Sequence, residues 1–132
     1  MTTLKVGIAS YEDFKERTMA IARGKLKPTP DDPKVWFTSI ESFAKILSDR
    51  NRALLSLIAE TKPASMNELA EKTGRARSNL SRTLRTMERY GLVRFEKGAG
   101  RMQAPRVLYS DIVLDVPLRV RAARSAQRRA HP

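Results

Sequence analysis

The sequence predicts a mainly α-helical fold with one small β-hairpin, an α+β architecture. Three observations in the middle of the chain support this prediction. Ser65 and Glu68 form a helix-capping pair before an apolar segment. Gly74 then separates that helix from a second one over about 75–90, as a tight turn between two helices requires. A glycine-containing hairpin begins near Leu92. Helix, turn, helix and hairpin in this order predict a winged helix-turn-helix.

The N-terminal residues predict a strand followed by a helix. Leu4, Val6 and Ile8 alternate with Lys5 and Gly7, as in a half-buried strand. Ser10 then begins a helix that Gly24 ends. The apolar stripe of this helix, which we expect in the core or in a dimer contact, consists of Tyr11, Phe14, Thr18 and Ile21.

Three prolines lie within 25–33, which disfavours a helix and predicts a stiff, exposed linker. Val35–Phe37 reads as a brief extended segment. Thr38 with Glu41 predicts the cap of one helix, and Asp49 predicts the cap of another that ends before Pro63. Both helices carry an apolar stripe and serve as scaffold.

The second helix of the central pair has an apolar side and a basic side. At 100° per residue, Leu80, Leu84 and Met87 share one side. The opposite side and its shoulders carry Ser78, Asn79, Ser81, Arg82, Arg85 and Arg89. Arginines at this spacing repel one another, which predicts an anionic partner. A DNA major groove admits one helix, and Arg, Asn and Ser are usual base readers. The alternative is a basic helix face that contacts only water.

The hairpin and the segments after it add further positive charge. Leu92–Lys97 predicts a strand, 98–100 a turn and Val107–Tyr109 the return strand. We expect the hairpin to contact phosphates through Lys97, Arg101 and Arg106. Asp111–Val116 predicts another strand, whose candidate partner is the N-terminal strand, within the subunit or across a dimer. The tail after Pro117 carries five arginines and either strengthens non-specific DNA contact or is solvated.

The charge is concentrated in the second half of the chain. The 132 residues carry a net charge of +12. Residues 1–64 have 11 Lys+Arg against 8 Asp+Glu, whereas residues 65–132 have 15 against 6. Of those 15 basic residues 13 are Arg, whose planar fork matches phosphate and base edges better than Lys does. This asymmetry favours a nucleic-acid partner.

The segment over about 50–110 resembles a known family of regulators. Asn67–Gly74, then Ser78–Leu84, then Met87–Val93 are similar to the winged-helix core of MarR-type and ArsR-type transcriptional regulators. The resemblance implies sequence-specific DNA binding as a homodimer, with the second helix in the major groove and the wing beside the minor groove. One departure is Ala76, where such proteins often have Ser or Thr, so the helix cap there should be weaker.

Residue types needed for other functions are scarce. The chain has no Cys and one His, His131, so neither a catalytic triad nor a His or Cys metal site can be built. We therefore expect no enzyme, no cofactor and no metal. No apolar run reaches the length of a membrane span and no signal peptide is evident, so we expect a cytoplasmic protein without a membrane partner.

Together these observations predict a regulator, most simply a repressor, that binds a near-palindromic operator as a homodimer. Residues 1–33 would form an N-terminal arm and linker, 34–110 the DNA-binding domain, and 111–132 a strand and basic tail. Base-reading residues would be Ser78, Asn79, Ser81, Arg82 and Arg85. Phosphate contacts would come from Arg75, Arg77, Arg89, Lys97, Arg101 and Arg106.

Two alternatives remain open from the sequence. The chain could be the antitoxin of a toxin–antitoxin pair, whose arm or tail masks a toxin partner while the helix-turn-helix controls their operon. It could also bind DNA architecturally, or bind RNA, without sequence preference.

Overall fold

A computed structural model describes residues 2–97, 100 and 102–118. The described chain contains five helices and two small sheets, so the predicted α+β class is confirmed. It divides into two compact units. One unit is Ala44–Ser110 together with Thr2, and the other is Thr3–Phe43 with 111–118.

The first unit contains the helices and the hairpin of the central region. Its regular elements are the last three residues of α2 (Ile40–Ile46), then α3 (Asp49–Thr61), α4 (Met66–Thr73), α5 (Arg77–Arg89), β3 (Val93–Lys97) and β4 (Gln103–Val107). Helices α3 and α4 lie against β4, and α5 lies against α4 and β3. The core is formed by apolar side chains that are almost fully buried, namely Leu54, Ile58, Met66, Leu69, Leu80, Leu84, Met87, Leu92, Val93 and Ala104.

The turn between α4 and α5 forms as the sequence predicts. The Ser65 hydroxyl accepts a hydrogen bond from the Glu68 N–H at 3.1 Å. The Glu68 carboxylate accepts in return from the Ala64 N–H, one residue before the expected Ser65. Gly74 ends α4 at φ 72°, a left-handed conformation that a residue without Cβ adopts at little cost. At the start of α5, Ala76 supplies no side-chain cap, as expected.

The helix caps of α2 and α3 differ by one residue from the prediction. Ser39, and not Thr38, caps α2, because its hydroxyl accepts from the Ser42 N–H at 3.0 Å. Likewise Ser48 caps α3 by accepting from the Asn51 N–H. Asp49 lies one residue further on, inside the first turn of α3. In each case two adjacent residues could act as caps, and the sequence argument chose the neighbour of the residue that does so.

The hairpin closes earlier than predicted. Strand β3 pairs antiparallel with β4, with Val93 opposite Val107 and Lys97 opposite Gln103. The return strand is therefore Gln103–Val107, and the predicted Val107–Tyr109 is wrong apart from its first residue. Pro105 lies in the middle of β4, although a proline lowers the strand propensity of the sequence around it. A two-stranded sheet tolerates this proline, because each strand has one edge that needs no N–H donor.

The second unit is built around a three-stranded sheet. It contains β1 (Thr2–Ile8) from Thr3 onward, α1 (Tyr11–Ala22), β2 (Val35–Phe37), the first four residues of α2, and β5 (Tyr109–Asp115) from Asp111 onward. Strand β1 lies between β2 and β5, which confirms the predicted pairing of the N-terminal and C-terminal strands and places it within one chain. Strands β1 and β2 are parallel. Leu4, Val6 and Phe37 are buried.

The proline-containing segment is more than a linker. Although most of its side chains are exposed, Asp32 accepts hydrogen bonds from the Thr29 N–H and hydroxyl, and it forms a 2.8 Å ion pair with Arg17 of α1. Pro33 and Trp36 lie so close to Gly7 that a Cβ there would come within 2.5 Å of the Trp36 ring. These contacts attach the segment to β1 and α1.

These pairings give a domain division that differs from the predicted one. The predicted boundary at Pro33 falls inside the second unit, because Val35–Phe37 pairs with β1, although the sequence predicts that a separate domain begins at residue 34. The predicted core stripe of α1 is also partly exposed: Tyr11 is 71% and Phe14 39% exposed. The basic tail lies outside the described residues.

Candidate nucleic-acid interface

Helix α5 separates apolar from basic side chains as its periodicity predicts. Leu80, Leu84 and Met87 are fully buried against the rest of the first unit. Arg82, Arg85 and Arg89 are exposed on the other side. Since Glu88 is the one acidic residue among Arg77–Arg89, which contains four arginines, the helix keeps a net positive charge.

Arg82 is the most available cation on this helix. Its side chain is exposed, and its guanidinium makes no hydrogen bond or ion pair with any residue in the described part of the chain. Ser78 lies one turn earlier on the same side and is also exposed. A planar guanidinium with unused N–H donors beside a free hydroxyl can form bidentate and single hydrogen bonds to a ligand with paired acceptors.

Arg85 is exposed, but its guanidinium is engaged within the fold. Its guanidinium forms a 3.1 Å ion pair with Glu88 and a hydrogen bond to the side-chain oxygen of Gln103 on β4. The same group lies over the Phe95 ring of β3, 4.1 Å from its centroid. The helical wheel placed Arg85 on the polar side correctly, but it could not show that the hairpin folds back against that side.

The residues around the turn before α5 are connected to one another. Arg75 donates to the Asn79 side-chain oxygen at 2.8 and 3.2 Å, so this oxygen is occupied, whereas the Asn79 amide N–H₂ donates to none of the residues that the structure describes. Arg77 donates to the Asn67 side-chain oxygen of α4 at 3.1 Å. These amides hold two guanidiniums near the start of α5 without neutralising them.

One residue of the basic surface, Arg50, was not predicted from the sequence. The pKa of Arg75 is lowered, first by its burial and second by the positive charge of Arg50. Arg50 is an exposed residue in the first turn of α3 and therefore belongs to the same basic surface. Its sequence position, 25 residues before Arg75, gave no signal, because only the packing of the helices brings the two charges together.

The hairpin offers fewer free cations than predicted. Arg106 donates to the backbone oxygens of Pro63 and Pro105 at 2.8 and 2.7 Å and lies 3.6 Å from Glu96. Its side chain is 24% exposed, so Arg106 uses much of its hydrogen-bonding capacity within the fold. Lys97 is exposed at the end of β3, as predicted. Arg101 lies outside the described residues.

Most of the residues predicted to contact DNA therefore have available side chains on or beside α5, within the described part of the chain. Two of them, Arg85 and Arg106, are bound within the fold. Side chains that stay available on or beside α5 are Ser78, Ser81, Arg82 and Arg89, together with Arg77 and Lys97. Among the described residues, Arg89 donates only to the Thr86 hydroxyl, at 3.3 Å. Over the part of the chain that the structure covers, we find no group of three potential metal ligands and no helix that is both long and apolar enough to cross a membrane.

A protein-family model matches part of the chain. A model of the protein family HVO_A0114 matches residues 46–114, just over half of the 132 residues. The matched segment covers α3, α4, α5, the hairpin and all but the last residue of β5. No match was found among curated proteins. Because the match spans more than half of its length, the chain belongs to the HVO_A0114 family.

Proposed function

We propose that the protein is a sequence-specific DNA-binding regulator, most simply a repressor, in which α4, the turn and α5 act as a helix-turn-helix and the β3–β4 hairpin acts as its wing. The observation that carries this proposal is the free guanidinium of Arg82. It stands exposed on the side of α5 opposite three buried apolar residues. An uncompensated cation in this position is suited to a polyanion.

The structure also guides the assignment of roles. Arg82 and Ser78, with Ser81 and the amide of Asn79, would read base edges in the major groove. Arg77, Arg89 and Lys97, and Arg75 beside Arg50, would contact phosphates. Arg85 and Arg106 leave the predicted set, because their guanidiniums are already bound within the fold.

The proposed protein acts as a homodimer on a near-palindromic operator. Two copies of α5 would enter successive major grooves about 34 Å apart. The resemblance of Asn67–Val93 to MarR-type and ArsR-type regulators supports this arrangement. DNA binding of this kind would take place in the cytoplasm.

Selection of bound duplexes from a random DNA pool tests the proposal. The expected result is an enriched site with two inverted half-sites whose centres lie about one helical turn apart. The same selection with the Arg82→Ala variant should show no base preference at one position of each half-site, while the other positions keep theirs. Enrichment of no sequence by the unsubstituted protein would contradict sequence-specific binding and favour an architectural role.

A second candidate function is that of an antitoxin, and α1 is the observation that favours it. Tyr11 is 71% exposed and Met19 41% exposed, so this helix presents apolar side chains that a protein partner would cover. The exposed side of α1 could be covered by a second copy of this chain or by a different protein. The molar mass of the purified chain in solution, measured by light scattering, distinguishes these two cases. A dimer that Tyr11→Ser dissociates supports self-association through α1, whereas a monomer supports a different partner protein.

A further inference from the structure

Two arginines, Arg85 of α5 and Arg106 of β4, connect the hairpin to the helices, a role that the proposed DNA interface does not use. Antiparallel register places alternate residues of β3 and β4 on opposite faces of the hairpin. Phe95 and Gln103 share one face, and Glu96 and Arg106 share the other. An arginine makes contacts on each of these faces.

On the first face the contacts come from α5. Arg85 places its guanidinium over the Phe95 ring and donates to the Gln103 side-chain oxygen, while its other terminal nitrogen pairs with Glu88. These three interactions use the flat face and both ends of the guanidinium at once. A lysine at this position could supply the charge but could not reproduce that geometry.

On the second face the contacts come from β4 itself. Arg106 donates to the backbone oxygen of Pro63, in the segment between α3 and α4, at 2.8 Å. Glu96 lies 3.6 Å from Arg106 and 2.7 Å from Arg94, so one carboxylate balances two guanidiniums. The Arg106 side chain is largely buried, which strengthens its hydrogen bonds relative to those at an open surface.

An isolated two-stranded hairpin is at best marginally stable in water, so it needs contacts with the rest of the fold. We infer that Arg85 is a positioning residue, which together with Arg106 fixes the hairpin relative to α5 before any ligand binds. The free cations Lys97 and Arg82 are thereby presented in a preset arrangement. For its consequence on DNA this inference rests on the proposed function, but the fixing of the hairpin itself can be measured without DNA.

Amide hydrogen exchange of the full-length protein without DNA provides the test. In Arg85→Ala the amides of β3 and β4 should exchange about tenfold faster, while those of α5 away from residue 85 keep their rates. Arg85→Lys should restore little of this protection, and Gln103→Ala should show a smaller increase. Arg89→Ala, on the same helix but without a hairpin contact, is the matched control and should leave hairpin exchange unchanged.

DNA selection with the same variants supplies the second readout. If Arg85 positions the hairpin, Arg85→Ala should bind the selected duplex more weakly, by about tenfold or less, with its base preferences intact. Unchanged hairpin exchange in Arg85→Ala would overturn the inference, and so would a lost base preference accompanied by normal exchange. If the unsubstituted protein binds no duplex, the proposed function fails, while the exchange rates still decide whether Arg85 fixes the hairpin.

Discussion

Arg82→Ala should separate DNA binding from folding more cleanly than any other substitution in the chain. Because the Arg82 guanidinium has no partner among the described residues, its loss removes no internal interaction. The free energy of unfolding should therefore change by no more than about 0.5 kcal/mol. A bidentate contact to a base pair is worth about 1 to 3 kcal/mol, so the dissociation constant for the selected duplex should rise by about 5- to 150-fold.

Two measurements and one control complete this prediction. Fluorescence anisotropy gives the affinity for the selected duplex and for a scrambled one, and urea denaturation gives the stability. Arg82→Lys retains the positive charge but lacks the planar guanidinium with its paired donors. It should therefore recover affinity for the scrambled duplex but only part of the preference for the selected duplex over the scrambled one. Equal losses on both duplexes would show that Arg82 binds phosphate, and no loss on either would refute the reasoning from its exposure.

Four further predictions concern stability and electrostatics. Leu84→Ala removes a fully buried side chain and should lower the free energy of unfolding by about 2 to 5 kcal/mol, and an unchanged urea midpoint would contradict the burial of this α5 face. Gly74→Ala places a Cβ at φ 72° and should cost about 1 kcal/mol by the same assay, whereas a neutral result would argue against the left-handed turn. Hydrogen bonds from Thr29, and then Arg17, hold the pKa of Asp32 below its usual 3.8. The stabilisation from Asp32 should thus be complete at neutral pH and be lost as the pH falls from about 4 through the lower folded-state pKa. Asp32→Asn should lower the free energy of unfolding by about 1 to 2 kcal/mol at pH 7 and weaken its dependence on pH below about 4. The same pH dependence in the variant and in the unsubstituted protein would show that Asp32 is not its source. Finally, with about 6 to 10 phosphate contacts per dimer, affinity for DNA should fall by about 10³- to 10⁵-fold between about 50 and 200 mM salt, and a flat salt dependence would contradict a phosphate-based interface.

Local sequence signals predicted the central helices well. Ser65, Gly74 and the spacing of Leu80, Leu84 and Met87 each act within one or two helical turns, so their structural consequences can be worked out without knowing the rest of the fold. A hairpin after α5 was also predicted, but its second strand begins at Gln103, before the predicted Val107.

The errors arose where distant segments meet. Arg85 and Arg106 look like free cations in a sequence, because neither Phe95 nor Pro63 can be recognised as a partner before the hairpin is folded against the helices. For the same reason the segment before Pro33 was taken for a linker, since its ion pair with Arg17 depends on where α1 lies. Helical periodicity gives the side of a helix that a residue occupies, but not what else reaches that side.

The distinction between Arg82 and Arg85 has a consequence for the proposed interface. Both residues lie on the polar side of α5, yet one is free and the other is bound to the hairpin. Base discrimination should therefore be concentrated around Ser78 and Arg82, in the first half of the helix. The second half, with Arg85, would set the position of the hairpin, and Arg89 would add affinity without sequence preference.

Site-directed cleavage of DNA tests the central claim, that α5 lies in a major groove, most directly. The sequence contains no cysteine, so Ser78→Cys, which exchanges one oxygen for sulfur, creates a single attachment point for an iron chelate that cuts nearby DNA. Ser56→Cys, on an exposed position of α3, is the control. If α5 lies in the groove, Ser78→Cys should cut each half-site locally, with the cuts offset across the two strands as expected for a source in the major groove. Ser56→Cys should not produce these cuts. Cleavage that is absent, spread evenly along the duplex, or the same from both positions would contradict this claim.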